Sequence, residues 1–85
     1  MIARMWEVRA ADHEAAEAVV DWVHATLLPA AEAYPGYDHA QVFESATARV
    51  VVISYWRGEP EQLPEPPEHL VARPGASWDF VEILR

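Results

Sequence analysis

The sequence predicts a small α+β fold of the ferredoxin-like type, and three patterns support this prediction. Four short segments have the apolar spacing of β-strands, and one longer segment between the first two has the spacing of an amphipathic helix. The connection between the second and third strands is short enough for a hairpin. A long proline-rich connection precedes the fourth strand. The order is therefore β-α-β-β-(reduced α)-β, a plait whose second crossover helix has shrunk.

The first strand and the helix are expected at residues 2–8 and 12–28. Asp12 is a residue type that caps helices at their start. Pro29 disfavours the helical conformation of the residue before it, so we expect a kink or break there. The apolar residues that share one face of this helix are Ala16, Val19, Val20, Val23 and Leu27.

The strand expected at residues 49–56 is apolar on both sides. Its side chains alternate between two sets, which are Val50, Val52 and Trp56 on one side and Val51, Ile53 and Tyr55 on the other. One helix shields only one face of a small sheet, so the second face needs another partner. A second copy of the same sheet is the simplest one, and a short chain without disulfides gains most from such help. We therefore expect a homodimer.

The other segments complete the plait. A second strand is expected at residues 37–43, and residues 58–67 hold four of the seven prolines, which is typical of an extended polyproline-like loop. This loop fits three interpretations: a lid, a partner-binding segment or a plain connection. A short helical turn at residues 68–73 and a last strand at 77–84 follow it. We expect residues 1–85 to form a single domain.

The charge balance excludes several classes of function. The chain has 14 acidic residues against 6 arginines and no lysine, for a net charge of −8, and it contains no cysteine. Nucleic acids and anionic membrane surfaces require clustered cations, so neither is an expected partner. Lysine Schiff bases, thiolate nucleophiles and zinc–thiolate sites are excluded by inventory. No apolar run resembles a signal peptide or a spanning helix, so we expect a cytoplasmic protein.

Five short stretches, in order along nearly the whole chain, resemble the antibiotic biosynthesis monooxygenase-like family. They are the opening residues 1–6, the Tyr-Pro-Gly turn at 34–36, the apolar strand ending in Tyr55-Trp56, Glu-His-Leu at 68–70 and Phe-Val-Glu-Ile-Leu at 80–84. The resemblance implies a dimeric α+β barrel, in which two sheets pair across an apolar interior and the helices lie outside. That arrangement agrees with the two-sided third strand.

The resemblance also implies activities and site residues. Relatives of this kind include cofactor-independent oxygenases of aromatic polyketides and haem-degrading enzymes. The tryptophan that ends the third strand in the family is matched by Trp56, and a histidine in the following helix by His69. The family's first-strand asparagine has no match, because the sequence contains no asparagine. The nearest polar residue on that strand is Arg4. Haem degradation is therefore a minor alternative, and we expect no cofactor.

Aromatic residues on three strands suggest a pocket for a planar ligand. Each of three tryptophans is expected on the same side of its strand as a run of apolar residues: Trp6, Trp56 and Trp78. Tyr55 immediately precedes Trp56. Such rings stack favourably on an aromatic substrate. The alternative is that they fill the core or seal the dimer. His39, expected on the same strand side as Tyr37 and Gln41, lies either at the cavity mouth or on a solvated strand edge.

For an oxygenase, His69 is the candidate base and Arg4 the candidate anion-binding group. The alternatives are an exposed histidine on a short turn and an arginine paired with Glu82 or Asp79. His13 and Glu17, like Asp21 and His24, are spaced on the helix so that each pair could bind a metal ion. Neither pair has a third ligand that converges on it, so we expect no metal site.

The leading hypothesis is a homodimer that binds a small apolar or aromatic molecule, with cofactor-independent oxygenation as the first activity to test. The competing hypothesis is a non-catalytic ligand-binding or dimerisation module of the same fold.

Overall fold

The computed structural model describes all 85 residues and confirms the α+β, ferredoxin-like class. The sheet is antiparallel, with strand order β2-β3-β1-β4. In this order the first and second strands are not neighbours, and a helical crossover connects them. The third and fourth strands are likewise joined by a second crossover. The regular elements are β1 (Ile2–Arg9), α1 (His13–Trp22), α2 (Leu28–Glu32), β2 (Tyr37–Glu44), β3 (Arg49–Trp56) and β4 (Ala76–Val81).

The helical crossover starts as predicted and then differs from the prediction. The Asp12 carboxylate accepts a hydrogen bond from the Ala15 backbone N–H at 2.7 Å, which satisfies one free donor of the first turn. No break occurs before Pro29. A π-helical turn at Val23–Leu27 joins α1 to α2, and the Leu28 N–H bonds to the Val23 carbonyl five residues back. Widening the turn in this way lets the helix continue although Pro29 donates no hydrogen bond.

The helical crossover packs on one face of the sheet, which we call the covered face. Every second residue of β3 is buried there, and β1 adds Val8, which is 1% exposed. The helices contribute Ala16, Val19 and Val23, all fully buried. The predicted apolar stripe of the helix is thus the stripe that meets the sheet. Its small residues allow the helix to lie close to the strands.

The other face of the sheet, which we call the open face, has no covering layer. Strand pairing places Met5 between Ile53 and Trp78 on this face, and Phe80 lies next to Ala3. Three aromatic side chains on it are about half exposed: Phe43 at 49%, Trp78 at 49% and Phe80 at 55%. The alternation expected for β3 is confirmed, with one apolar set under the helices and the other on an uncovered surface.

A β-bulge in β2 changes one predicted grouping. Tyr37 pairs with Trp56 on the covered face, whereas His39 pairs with Tyr55 on the open face, so the register shifts at Asp38. The expectation that Tyr37, His39 and Gln41 share one side of the strand is therefore wrong for Tyr37. A bulge adds one residue to one strand and so reverses the facing of all residues before it.

The crossover between β3 and β4 is irregular, as the proline content indicates. Leu63 packs against the main core and Pro66 is buried, so this connection is docked onto the rest of the fold. Only Glu68–Leu70 forms a helical turn, a 3₁₀ turn shorter than the one predicted. The strand expected to end at Leu84 ends at Val81, because β1 begins at Ile2 and leaves later residues no strand to pair with. None of the helices has the length and apolarity needed to cross a membrane.

Candidate functional site

A cavity of about 400 Å³ lies between the covered face and the proline-rich crossover. Its volume is within the range of small-molecule sites. The sheet provides the floor, the π-turn one wall and the crossover the roof. The lining residues are Arg4, Trp6, Val52, Ser54 and Ser77 from the strands, Leu27 from the π-turn, and Pro60, Gln62, Leu63, Pro64 and Glu65 from the crossover.

Trp6 is the largest side chain in this lining. Its indole packs against Trp22 of α1, with ring centroids 6.4 Å apart. The crossover approaches the other edge of the indole at Gly75, where an added Cβ would lie 2.5 Å from the Trp6 Nε1 atom. A residue larger than glycine would therefore displace the ring. The same point is 3.3 Å from the Glu65 Oε2 atom, so the carboxylate and the indole meet at one corner of the cavity.

Arg4 connects three parts of the fold at the cavity mouth. Its Nε and Nη2 atoms donate to the two carboxylate oxygens of Asp79 at 2.7 and 2.9 Å. Its Nη1 atom donates to the Glu61 carbonyl at 3.2 Å. The predicted alternative, an arginine paired with an acid of the fourth strand, is thus present in the structure. Because the pair is bidentate, the guanidinium is oriented and its charge is already matched.

The ion pair shifts the pKa of both partners. The hydrogen bonds from Arg4, with its positive charge, lower the pKa of the Asp79 carboxyl below its ordinary value of 3.8. The pKa of Arg4 is raised, mainly by its hydrogen bond to the Asp79 side chain. The negative charges of Asp79 and Glu59 raise the pKa of Arg4 further. Glu59 is therefore close enough for its charge to act at the mouth. Arg4 stays charged, but no excess positive charge is offered to an anion.

Trp56 lies behind the cavity floor. The side chain is fully buried, and its Nε1 atom donates to the Ser54 hydroxyl at 2.9 Å. Tyr37 packs edge-on against the indole at a centroid distance of 5.5 Å. Burial raises the pKa of the Tyr37 phenol, and the nearby carboxylates of Glu32 and Asp38 add to that shift. The structure thus places Trp56 in the core, where Ser54 links it to the lining.

Three of the residues predicted to bind substrate lie on the open face. Trp78 pairs with Met5, and Tyr55 stacks on His39 with ring centroids 4.4 Å apart. The Tyr55 hydroxyl donates to the Gln41 side chain at 3.0 Å, and His39 Nδ1 contacts the Asp38 carboxylate at 2.5 Å. Successive strand residues face opposite sides, so these aromatic rings cannot share a pocket with Trp6.

The candidate base His69 is exposed in the 3₁₀ turn and does not line the cavity. The short crossover explains this position, because one turn is too short to direct the imidazole back over the sheet. Of the predicted site residues, the structure brings Arg4 and Trp6 into the cavity, with Trp56 directly behind it.

The lining does not fit a haem group. Haem iron is held by histidine, cysteine, methionine or tyrosine side chains, and none of these residue types lines the cavity. No group of three or more histidine or carboxylate side chains is placed to hold a metal ion.

Sequence reasoning missed several lining residues. Ser54 belongs to an apolar strand, and nothing in its neighbours marks it. Leu27 enters the cavity wall through the π-turn, for which Pro29 was the only sequence signal. Glu65 is one of several glutamates in the proline-rich crossover, and only the packing at Gly75 distinguishes it.

Acid should weaken the fold through Asp79. The pKa of Asp79 is lower in the folded chain than in the unfolded chain. The ion pair therefore stabilises the fold above about pH 4, and this contribution is lost as the pH falls through the folded-state pKa.

We expect carboxyl-detected NMR to give a titration midpoint for Asp79 below 3.8. Asp79→Asn should lower the urea midpoint near neutral pH, and this difference from the native chain should shrink in acid. Asp21→Asn, at an exposed carboxylate of α1, is the control. An Asp79 midpoint at or above 3.8 would contradict the assignment.

Comparison with known proteins supports the fold and goes no further. No model of a protein family matches the chain, and no curated protein matches its sequence. Among solved structures, the chain is similar to Rv0793 from Mycobacterium tuberculosis, with a TM-score of 0.70 and 18% identity. The match covers 99% of this chain and 96% of that protein. The whole chain therefore has the small α+β architecture of a known protein structure.

Proposed function

We propose that this chain is a homodimeric domain of the antibiotic biosynthesis monooxygenase-like class, and that each protomer binds a small apolar or aromatic molecule beside Trp6. The observation that supports the proposal is the composition of the cavity. Its apolar surface comes from Trp6, Leu27, Val52 and Leu63 together with prolines of the crossover, and its polar groups are Arg4, Ser54, Gln62, Glu65 and Ser77. Such a lining stabilises a flat apolar body and fixes its orientation through a few hydrogen bonds.

The open face supports the dimer. A sheet surface with three half-exposed aromatic rings is unusual for a small chain that stays monomeric in water. The open face of a second copy offers the same rings to it, which is the self-complementary contact of a two-fold dimer. The cavity lies on the covered face, so dimerisation leaves its mouth accessible.

Naphthalen-1-ylmethanol is a suitable neutral probe of the cavity. We expect isothermal titration calorimetry to detect its binding. Ser77→Phe should weaken the binding by about tenfold or more, because the new ring occupies the mouth. Ala76→Phe adds the same ring one residue earlier, on the open face, and should leave the affinity unchanged. Equal affinities for the native chain and Ser77→Phe would rule out this cavity as the site.

The dimer is tested by charge on the open face. Light scattering at micromolar concentration should give twice the chain mass of 9.6 kDa, and Phe80→Glu should give the monomer mass, because the added carboxylate would be buried unpaired. Ala25→Glu adds the same charge on the exposed side of the π-turn and should remain dimeric. A native mass of 9.6 kDa would disprove the dimer.

A second candidate function is oxygenation without a cofactor, and Glu65 is the observation that favours it. In this reaction an anthrone-type methylene loses two hydrogens and gains one oxygen atom of O₂, and the second oxygen atom leaves as water. The substrate supplies all four electrons. A base must first remove a proton from the methylene carbon, and Glu65 is the carboxylate that lines the cavity.

Oxygen uptake with anthrone separates this candidate from simple binding. If the chain is an oxygenase, Glu65→Gln should lower the rate by about 100-fold or more, and His69→Gln should leave it unchanged, since His69 lies outside the cavity. Uptake by the native chain that does not exceed the protein-free rate would reject the oxygenase and leave the binding function in place. Uptake that survives in Glu65→Gln would reject Glu65 as the base.

A further inference from the structure

The Glu65 carboxylate has no cationic partner within the chain. The ion pairs of the structure join Arg4 to Asp79, and Asp38 to both His39 and Arg57. Glu65 takes part in none of them, although it lines the cavity and lies against the edge of the Trp6 indole. The crossover is held there by the buried Pro66, the next residue. An exposed, unpaired carboxylate therefore lies beside an aromatic wall.

The cation at the mouth does not offset this charge. Arg4 donates to both oxygens of Asp79, so their charges cancel locally. The nearby Glu59 adds a further negative charge. The Arg4–Asp79 pair is neutral as a unit, while Glu59 and Glu65 add negative charge around the cavity of a chain that carries −8. This charge balance favours cations over anions.

We infer that the ligand of the cavity joins an aromatic body to a positively charged amine, with the ammonium group beside Glu65 and the aromatic body packed along Trp6. This inference rests on the proposed binding function and specifies the ligand class. An ammonium group is attracted to the Glu65 carboxylate, and this carboxylate lies at the edge of the Trp6 indole, so the aromatic body of the same ligand reaches that ring. An anionic ligand would lack a free cation, because Arg4 is already bound to Asp79.

Three probes with the same ring system and different charges test the inference. They are naphthalen-1-ylmethylamine, which is cationic at pH 7, the neutral naphthalen-1-ylmethanol, and the anionic 1-naphthoate. We expect the amine to bind about fivefold more tightly than the alcohol in low salt, and the naphthoate to bind more weakly than either. The preference for the amine should decrease at high ionic strength.

Two variants locate the source of the preference. Glu65→Gln should reduce the amine-to-alcohol ratio to about one. Glu68→Gln removes a carboxylate that lies outside the cavity and should keep the native ratio. The indole N–H resonance of Trp6, assigned with Trp6→Phe, should shift on adding the amine.

The outcomes separate this inference from the binding function. Three outcomes would overturn the inference: equal binding of amine and alcohol, tighter binding of naphthoate, or an amine preference that persists in Glu65→Gln. In each of these cases, binding of the alcohol would still support the proposed function. Failure of all three probes to bind would overturn both.

Discussion

The packing of one helical layer on one face of a four-stranded sheet is the constraint on which the rest of the structure depends. It places Val50, Val52 and Trp56 in the core and leaves the alternate residues of β3 without cover. On the covered side, the helices do not extend over the whole sheet. The proline-rich crossover covers the remaining part, and its poor fit to the strands leaves the cavity. The cavity thus results from the absence of a second long helix on this side. The aromatic surface is uncovered because both crossovers lie on the same face of the sheet.

The Arg4–Asp79 pair gives this arrangement its chemical character. An arginine on the covered face would be costly without a partner, and Asp79 is the residue that strand pairing places opposite it. A third hydrogen bond, from Arg4 to the Glu61 carbonyl, ties the crossover to the sheet. The guanidinium is thereby used for structure and is not free to bind a substrate anion. Two glutamates of the crossover, Glu59 and Glu65, add negative charge around the cavity.

The local patterns of the sequence predicted the strands, the capped helix and the two-sided β3, because each depends on neighbours within a few residues. The composition of the site was predicted less well. Three tryptophans on three strands suggested one pocket, but which face each strand presents depends on its register. Pairing places Trp78 beside Met5, on the side opposite Trp6. The π-turn and the Asp38 bulge each result from one residue acting within a tertiary context, which periodicity does not detect.

The bulge at Asp38 also affects how copies of the chain meet. β2 is an edge strand, and an unprotected edge is a template for adding further strands from other chains without limit. The extra residue interrupts the regular hydrogen-bonding row, and charged side chains surround it: Arg57 donates to Asp38 and to the carbonyls of Pro35 and Tyr37. Growth of a continuous intermolecular sheet along this edge is thereby disfavoured. One irregular residue thus makes this edge of the sheet a poorer template for fibrous aggregation.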